Sequence, residues 1–98
     1  MIEVRRTIEF TKWIGGLRDG RAQRVTAARI DRLSSGNPGD VKPVGHGVSE
    51  LRIDYGPGYR VYFVQRGDVL IVLLCGSDKS SQNADIVKAH AIAEDLEA

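Results

Sequence analysis

Apolar and polar residues alternate along two neighbouring segments near the middle of the chain, residues 48–55 and 58–65. A period of two residues is typical of β-strands with one buried face. Gly56-Pro57-Gly58 joins the segments with residues that favour turns, so the sequence predicts an antiparallel hairpin. In that hairpin Leu51 and Ile53 face one way, and Glu50, Arg52 and Asp54 face the other.

The N-terminal third of the chain predicts one short strand and two helices. Residues 2–8 alternate and are rich in β-branched side chains, as in a strand. The first helix is indicated by apolar residues with the spacing of one helix face, Phe10, Trp13, Ile14 and Leu17. Asp19 can cap a second helix that ends near Gly36, with Ala22, Thr26, Ile30 and Leu33 pointing inward.

The remaining segments complete an α+β pattern. Residues 41–47 form a weak strand, because Pro43 cannot donate to a sheet ladder and belongs at an edge. The apolar run at residues 69–75 predicts a strand covered on both faces. A last helix begins near Gln82, with Ile86, Ala89, Ala93 and Leu96 pointing inward. We expect one domain over residues 1–98, a small antiparallel-type β-sheet in the order β-α-α-β-β-β-α, with an N-terminal helical hairpin and a C-terminal helix packed on it.

Amino-acid composition limits the kinds of functional site and the cellular locations that we expect. Of 98 residues 42% are hydrophobic and 28% charged, as in soluble globular domains, and no stretch is apolar enough to span a bilayer. The first residues lack the apolar core of a signal peptide, so we expect a cytoplasmic protein without membrane contact. Cys75 is the single cysteine, and His46 and His90 lack metal-ligand spacing, so we expect no cofactor and no metal.

The charge is distributed unevenly, although the net charge is only +1. Arginine and lysine dominate residues 5–32, whereas acidic residues gather at the end of the chain. Among the basic residues, Arg21, Arg29 and Arg32 lie beside the apolar stripe of the second helix, where we expect a solvated flank. The surface is therefore expected to be polarised.

The arginines of the central hairpin suggest a binding surface. If the hairpin is in register, Arg52, Arg60 and Tyr62 share one face away from the apolar set. A guanidinium group on a rigid strand suits bidentate recognition of phosphate, and tyrosine offers a stacking face or an exchangeable proton. The alternative is that these arginines only pair with the neighbouring acids Glu50 and Asp54.

Three further residues could extend this surface. Lys79 follows the buried strand in a loop and is a second candidate cation, while Lys42 and His46 lie on or beside the weak strand. His46 between two glycines could act as a general base near neutral pH. The alternative for each is an ordinary solvated side chain.

The segments KPVGHGVSELRIDYGPGYRVYF and LLCGSDKSSQNADI resemble the RelE/ParE superfamily of bacterial toxins, in particular HigB-like addiction-module killer proteins related to phage Gp49. The resemblance covers nearly the whole chain. It implies a small sheet with a helical hairpin packed on it and a terminal helix. It also implies neutralisation by a co-encoded antitoxin, often a helix-turn-helix repressor, with promoter DNA bound only through that antitoxin.

The resemblance also implies roles for particular residues. Arg60 matches the arginine that stabilises the scissile phosphate in RelE-type enzymes, Arg52 falls where they place a lysine, and Lys79 falls near their post-strand basic residue. These three are the expected catalytic residues. The terminal helix has no tyrosine like that of some RelE-type toxins. Tyr62, His46 or Gln82 would have to substitute for that tyrosine. We expect these three residues and Lys42 to contact RNA.

The function implied by the resemblance is that of a type II toxin acting as a metal-independent mRNA endoribonuclease on free or ribosome-bound RNA. The ribose 2′-hydroxyl would be the nucleophile, so no serine, cysteine or metal constellation is needed. Two alternatives stay open, a ParE-like inhibitor of DNA gyrase and a decayed toxin that acts only as an antitoxin-binding co-repressor.

Overall fold

The computed structural model of the chain describes residues 2–97, except for the side chains of Lys79 and Glu97. The strands are β1 (Glu3–Arg6), β2 (Val41–Gly45), β3 (Val48–Ile53), β4 (Tyr59–Arg66) and β5 (Leu70–Asp78). The helices are α1 (Ile8–Gly15), α2 (Gly20–Ser34) and α3 (Gln82–Glu97), and a 3₁₀ turn (Lys79–Ser81) precedes α3. This α+β architecture confirms the predicted fold class.

The strands form one mixed sheet in the order β1-β5-β4-β3-β2. The strands from β2 to β5 are antiparallel neighbours, as predicted, whereas β1 pairs in parallel with β5. The sheet is therefore antiparallel except at β1, because the helical hairpin crosses over between β1 and the other strands. The predicted order β-α-α-β-β-β-α left out the weak strand expected at residues 41–47. This segment forms the edge strand Val41–Gly45, as its proline predicts, with an irregularity in the pairing between Pro43 and Gly45.

The helical hairpin of α1 and α2 covers one face of the sheet. Thr7 and Asp19 cap the two helices by accepting hydrogen bonds from backbone N–H groups of their first turns. α1 ends at Gly15 rather than continuing to Leu17, since Gly15 and Gly16 disfavour helix. The core on this face contains Phe10, Ile30, Leu33, Leu51, Ile53, Val61, Phe63, Ile71 and Leu73.

Helix α3 covers the other face, so β5 is buried on both sides as its continuous apolar run predicts. The core here contains Val48, Tyr62, Val64, Leu74, Cys75, Ala89 and Ala93. Burial raises the pKa of the Cys75 thiol to about 11, which keeps it protonated at neutral pH. Leu96 was predicted to point inward but is exposed, because it lies in the last turn of α3, beyond the buried residue Ala93. None of the helices in the described part of the chain has the length and apolarity required to cross a bilayer.

Trp13 joins α1 to the sheet through a close approach to the backbone of β5. A methyl group added at Gly76 would lie well inside van der Waals distance of the Trp13 ring. The ring also packs against Phe10 and Tyr59, with centroid separations of 5.8 and 6.2 Å. Gly76 is therefore the position where β5 makes room for the indole.

We expect Gly76→Ala to lower the free energy of unfolding by about 1–3 kcal/mol, because overpacking displaces the indole or the strand. Urea denaturation measures the change. Gly15→Ala is the matched control, because its methyl group has no neighbour within 4 Å and alanine favours helix. Equal urea midpoints for Gly76→Ala and the wild type would contradict the packing described for Trp13.

Candidate functional site

The β3–β4 hairpin has the register that its alternation predicts. Arg52 lies directly opposite Arg60, and Glu50 lies directly opposite Tyr62. Arg52, Arg60 and Tyr62 therefore share one face of the sheet, as expected. That face is not open to solvent along its length, because it is the face on which α3 packs.

The carboxylate of Glu50 is the centre of this site and is completely buried. Arg52 Nε donates to Glu50 Oε1 at 3.0 Å. The hydroxyl of Tyr62 and Nε2 of Gln82 donate to Oε2 at 3.2 and 3.0 Å. Arg60 Nη1 lies 3.6 Å from the same oxygen, within ion-pair distance. We call these residues (Glu50, Arg52, Arg60, Tyr62 and Gln82) the Glu50 cluster.

A buried carboxylate is stable only where its oxygens are paired and hydrogen-bonded, since an unpaired buried charge costs several kcal/mol. In this cluster both oxygens of Glu50 accept hydrogen bonds from side chains on three different elements. The carboxylate thereby fixes two arginines on neighbouring strands and the first residue of α3. The alternative from sequence, pairing of the arginines with an acid, is realised at Glu50, whereas Asp54 is exposed.

Within the Glu50 cluster the single carboxylate offsets one of the two guanidinium charges, which leaves these five residues with one excess positive charge. The negative charge of Asp85 on α3 also acts on Tyr62. The side chain of Arg52 is 38% exposed and that of Arg60 is 16% exposed. Among the described residues, the buried Nη1 of Arg60 has no hydrogen-bond partner, and neither has the buried hydroxyl of Ser77, which lies directly opposite Arg60 on β5. Buried polar atoms in proteins are usually paired. These two atoms are therefore exceptions at this site.

Tyr62 is placed in the cluster but not at its surface. Burial raises the pKa of its hydroxyl, and the negative charge of Glu50 raises it further. The hydroxyl therefore remains protonated at neutral pH and donates to Glu50. Because the ring is completely buried, it offers no face for a base in this structure. From this position Tyr62 stabilises the carboxylate of Glu50.

The other residues predicted for the site lie at its margins. Lys42 is exposed on the edge strand β2, directly opposite Glu50, on the same face as the arginines. Gln82 begins α3 and is half-buried. Lys79 begins the 3₁₀ turn after β5, but its side chain lies outside what the structure describes. Its proposed role stays a prediction.

His46 lies at the opposite end of β3 from Arg52, in the β2–β3 turn. Arg52 follows Val48, the first residue of β3, by four positions, a distance of about 13 Å along a strand. The ring of His46 instead packs against that of His90, with centroids 4.3 Å apart. The structure thus separates the predicted residues into the Glu50 cluster and a histidine pair.

Arg29 supports the site from the opposite face of the sheet. Its Nη1 donates to the backbone carbonyl of Arg52 at 3.0 Å, and its Nη2 donates to that of Pro38 at 3.2 Å. The expectation of a merely solvated flank was therefore wrong for this residue. α2 holds the backbone of β3 at the position that carries Arg52.

Three features of the site were not predicted from the sequence: Ser77, His90 and the central position of Glu50. The signal for Glu50 was present, since it has the same phase in the β3 alternation as Val48, a residue that is buried under α3. A carboxylate in that phase must be buried and needs several donors. Within the described residues, no group of three or more histidine, cysteine or acidic side chains is arranged to hold a metal ion.

Comparisons with known proteins give two similarities. The model of the family described as phage derived protein Gp49-like (DUF891) matches residues 12–96, a range that contains the whole Glu50 cluster and both histidines. An uncharacterized protein of Haemophilus influenzae (strain ATCC 51907 / DSM 11121 / KW20 / Rd) is 47% identical over 95 residues. The alignment covers 97% of this chain and 96% of that protein.

We expect Glu50→Gln to lower the free energy of unfolding by about 3 kcal/mol, the lower end for removing one partner of a buried ion pair, since Arg52 is partly exposed. Without the carboxylate the two opposed guanidinium groups repel each other, so added salt should restore part of the loss. Urea denaturation at low and high salt measures both effects. Asp54→Asn removes the same charge at an exposed position and is the control. Equal effects of the two substitutions would refute a central role for Glu50.

Proposed function

The chain belongs to the family of phage-derived Gp49-like proteins, and from that premise we propose that it is the toxin of a type II toxin–antitoxin module and an mRNA endoribonuclease. Membership of the family supports the proposal together with the resemblance of the sequence to RelE/ParE toxins. The Glu50 cluster adds the physical support, because it holds cationic groups suited to phosphate.

One observation carries the proposal: a buried carboxylate fixes two arginines while leaving them one excess positive charge. The donors proposed for a phosphate are the partly exposed guanidinium of Arg52 and Nη1 of Arg60, which lies within ion-pair distance of Glu50 but has no hydrogen-bond partner among the described residues. Guanidinium groups bind phosphate oxygens with fixed geometry. Because the arginines are already oriented by Glu50, little side-chain entropy remains to be lost when RNA binds.

The proposed reaction is a transesterification within the RNA. The ribose 2′-oxygen loses its proton and attacks the adjacent phosphorus, and the bond from phosphorus to the 5′-oxygen of the next nucleotide breaks. The leaving oxygen takes up a proton, giving a 2′,3′-cyclic phosphate and a 5′-hydroxyl. Arg60, Arg52 and the hydroxyl of Ser77 stabilise the charge on the phosphorane, where preorganised donors contribute several kcal/mol each.

The protein's part in this reaction is orientation and positive charge. Tyr62 stays protonated and buried, so we assign it as a positioning residue that holds Glu50. His46 lies beyond Val48, which is itself about 13 Å along β3 from Arg52, too far for its imidazole to accept the 2′-proton. In this proposal the cations that offset the charge of the transition state are guanidinium groups, so the reaction needs no metal ion.

A helix-turn-helix antitoxin is the proposed protein partner. An acidic segment of that antitoxin laid over Arg52 would offset the excess charge and block access of a phosphate. Growth arrest on expression of the chain, relieved by co-expression of an adjacent helix-turn-helix gene, tests this partnership. Growth arrest that no adjacent gene relieves would contradict it.

We expect Arg60→Lys to reduce RNA cleavage by at least about 100-fold, the loss on removing one transition-state donor. Lysine keeps a positive charge beside Glu50, so the fold is retained, but it lacks the planar, forked guanidinium group of arginine. Purified protein with translating ribosomes and end-group analysis of the RNA gives the measurement. Arg32→Lys makes the same exchange at an exposed position of α2 and is the control.

The products separate the proposal from its rivals. New 5′-hydroxyl ends that depend on Arg60 support the endoribonuclease. Equal cleavage by Arg60→Lys and the wild type would show that the site is assigned wrongly. No cleavage by the wild type, together with loss of supercoiling by DNA gyrase, would replace the proposal with a gyrase inhibitor.

A further inference from the structure

A second concave site lies at the other end of the α3-covered face. It is a cleft of about 500 Å³, within the range of small-ligand sites. Val64 and Ala93 give it apolar lining, and His46, His90, Gln65 and Glu94 bring polar groups to it. We call it the histidine cleft. An apolar lining with a few convergent polar groups is the usual composition of a binding site.

The imidazoles in this cleft have fixed positions. His90 Nε2 donates to the backbone carbonyl of Val44 at 2.8 Å, which ties α3 to the edge strand β2. The ring of His46 packs on that of His90 and is itself exposed, so part of its surface faces the cleft. The two rings are tilted by 44° to each other, so the exposed ring of His46, supported by that of His90, is the surface available for stacking.

His46 is carried in a strained backbone conformation. It has a φ of 55° and Gly47 a φ of 74°, and these two residues join β2 to β3. Positive φ at both central residues is what a type I′ hairpin turn requires, and Asn-Gly or Gly-Gly satisfies it best. A side chain other than glycine or asparagine adds strain at such a position. The imidazole is therefore present at a position where turn geometry alone favours other residues.

The cleft is aligned with the Glu50 cluster on the same face of the molecule. Gln82 of the cluster and His90 of the cleft are eight residues apart on α3, a separation of about 12 Å. Along β3, Val48, which follows the cleft residue Gly47, is about 13 Å from Arg52, so both elements place the two sites more than about 10 Å apart. The exposed Lys42 lies opposite Glu50 on the edge strand, level with the Glu50 cluster. A short single-stranded segment can span this distance along the basic side chains.

The chemistry of the cleft fits a nucleobase better than a phosphate. The two oppositely charged residues of the lining, Glu94 and Arg66, offset each other, so the pair gives the cleft no excess positive charge for a phosphate. The carboxylate of Glu94 can accept a hydrogen bond from the amino group of a base. Imidazole rings stack on the planar faces of bases. The amide of Gln65 donates to the carbonyl of Gly67 at 2.9 Å, which orients its own oxygen as a further acceptor.

We propose that the histidine cleft binds an unpaired base of the RNA a short distance along the strand from the phosphate held by Arg52 and Arg60. His46 stacks on the base, His90 supports the His46 ring, and Glu94 accepts a hydrogen bond from the amino group of the base. The proposal rests on the proposed endoribonuclease function and gives it a determinant of sequence preference that lies apart from the catalytic groups.

The test compares the positions of RNA cuts in cells that express the wild type, His46→Asn or His90→Gln. Asparagine creates the favoured Asn-Gly turn, so His46→Asn removes the ring without loss of stability. Glutamine can still donate to the Val44 carbonyl, so His90→Gln removes the other ring but keeps the hydrogen bond from α3 to β2. Thermal denaturation verifies that each variant is folded. Asp54→Asn, at an exposed position near the Glu50 cluster, is the control.

We expect both histidine variants to keep cutting RNA but to lose base preference at one position flanking the cut. Cleavage at the preferred sites should fall about five-fold to a hundred-fold, the effect of removing one stacking ring. Cuts at unchanged positions and frequencies would overturn the proposal while the endoribonuclease function stands. No Arg60-dependent cuts with the wild type would overturn both.

Discussion

The site depends on one buried carboxylate. Glu50 has no exposed surface, and its negative charge is tolerable only because Arg52, Tyr62 and Gln82 donate to it and Arg60 lies within ion-pair distance. Those partners come from β3, β4 and α3, so a single charge joins three elements. The same interaction that stabilises this corner of the fold also orients the two arginines.

The two faces of the sheet differ in composition: one is an apolar core, and the other carries the proposed binding residues. The face under α1 and α2 is an apolar core, fixed by packing such as that of Trp13 against Gly76. The face under α3 combines a smaller apolar cluster with buried polar groups at one end and two histidines at the other. Arg29 links the two faces, because it holds the backbone of β3 at Arg52 from the α2 side. Substitutions in the core under α1 and α2 can therefore displace Arg52 although the substituted residues do not contact the Glu50 cluster.

The sequence predicts local features of this molecule well, because alternation and caps are local. The period of two residues predicts that Arg52 and Arg60 share a face, as the register shows. Asp19 caps α2, as its position in the sequence predicts. Alternation does not reveal what covers a face. Tyr62 was therefore expected at a surface, whereas α3 buries it, and the parallel pairing of β1 depends on a crossover that no local pattern encodes. The phase of Glu50 in β3 is the signal that sequence reasoning could have used.

The central claim is that Glu50 holds the arginines in place before any ligand arrives. Proton–nitrogen NMR of the arginine side chains tests it directly, through the exchange of Nε–H protons with water. The account predicts much slower exchange at Arg52 than at the exposed Arg32, and loss of that protection in Glu50→Gln. Equally fast exchange at Arg52 and Arg32 in the wild type, or protection that survives Glu50→Gln, would contradict it.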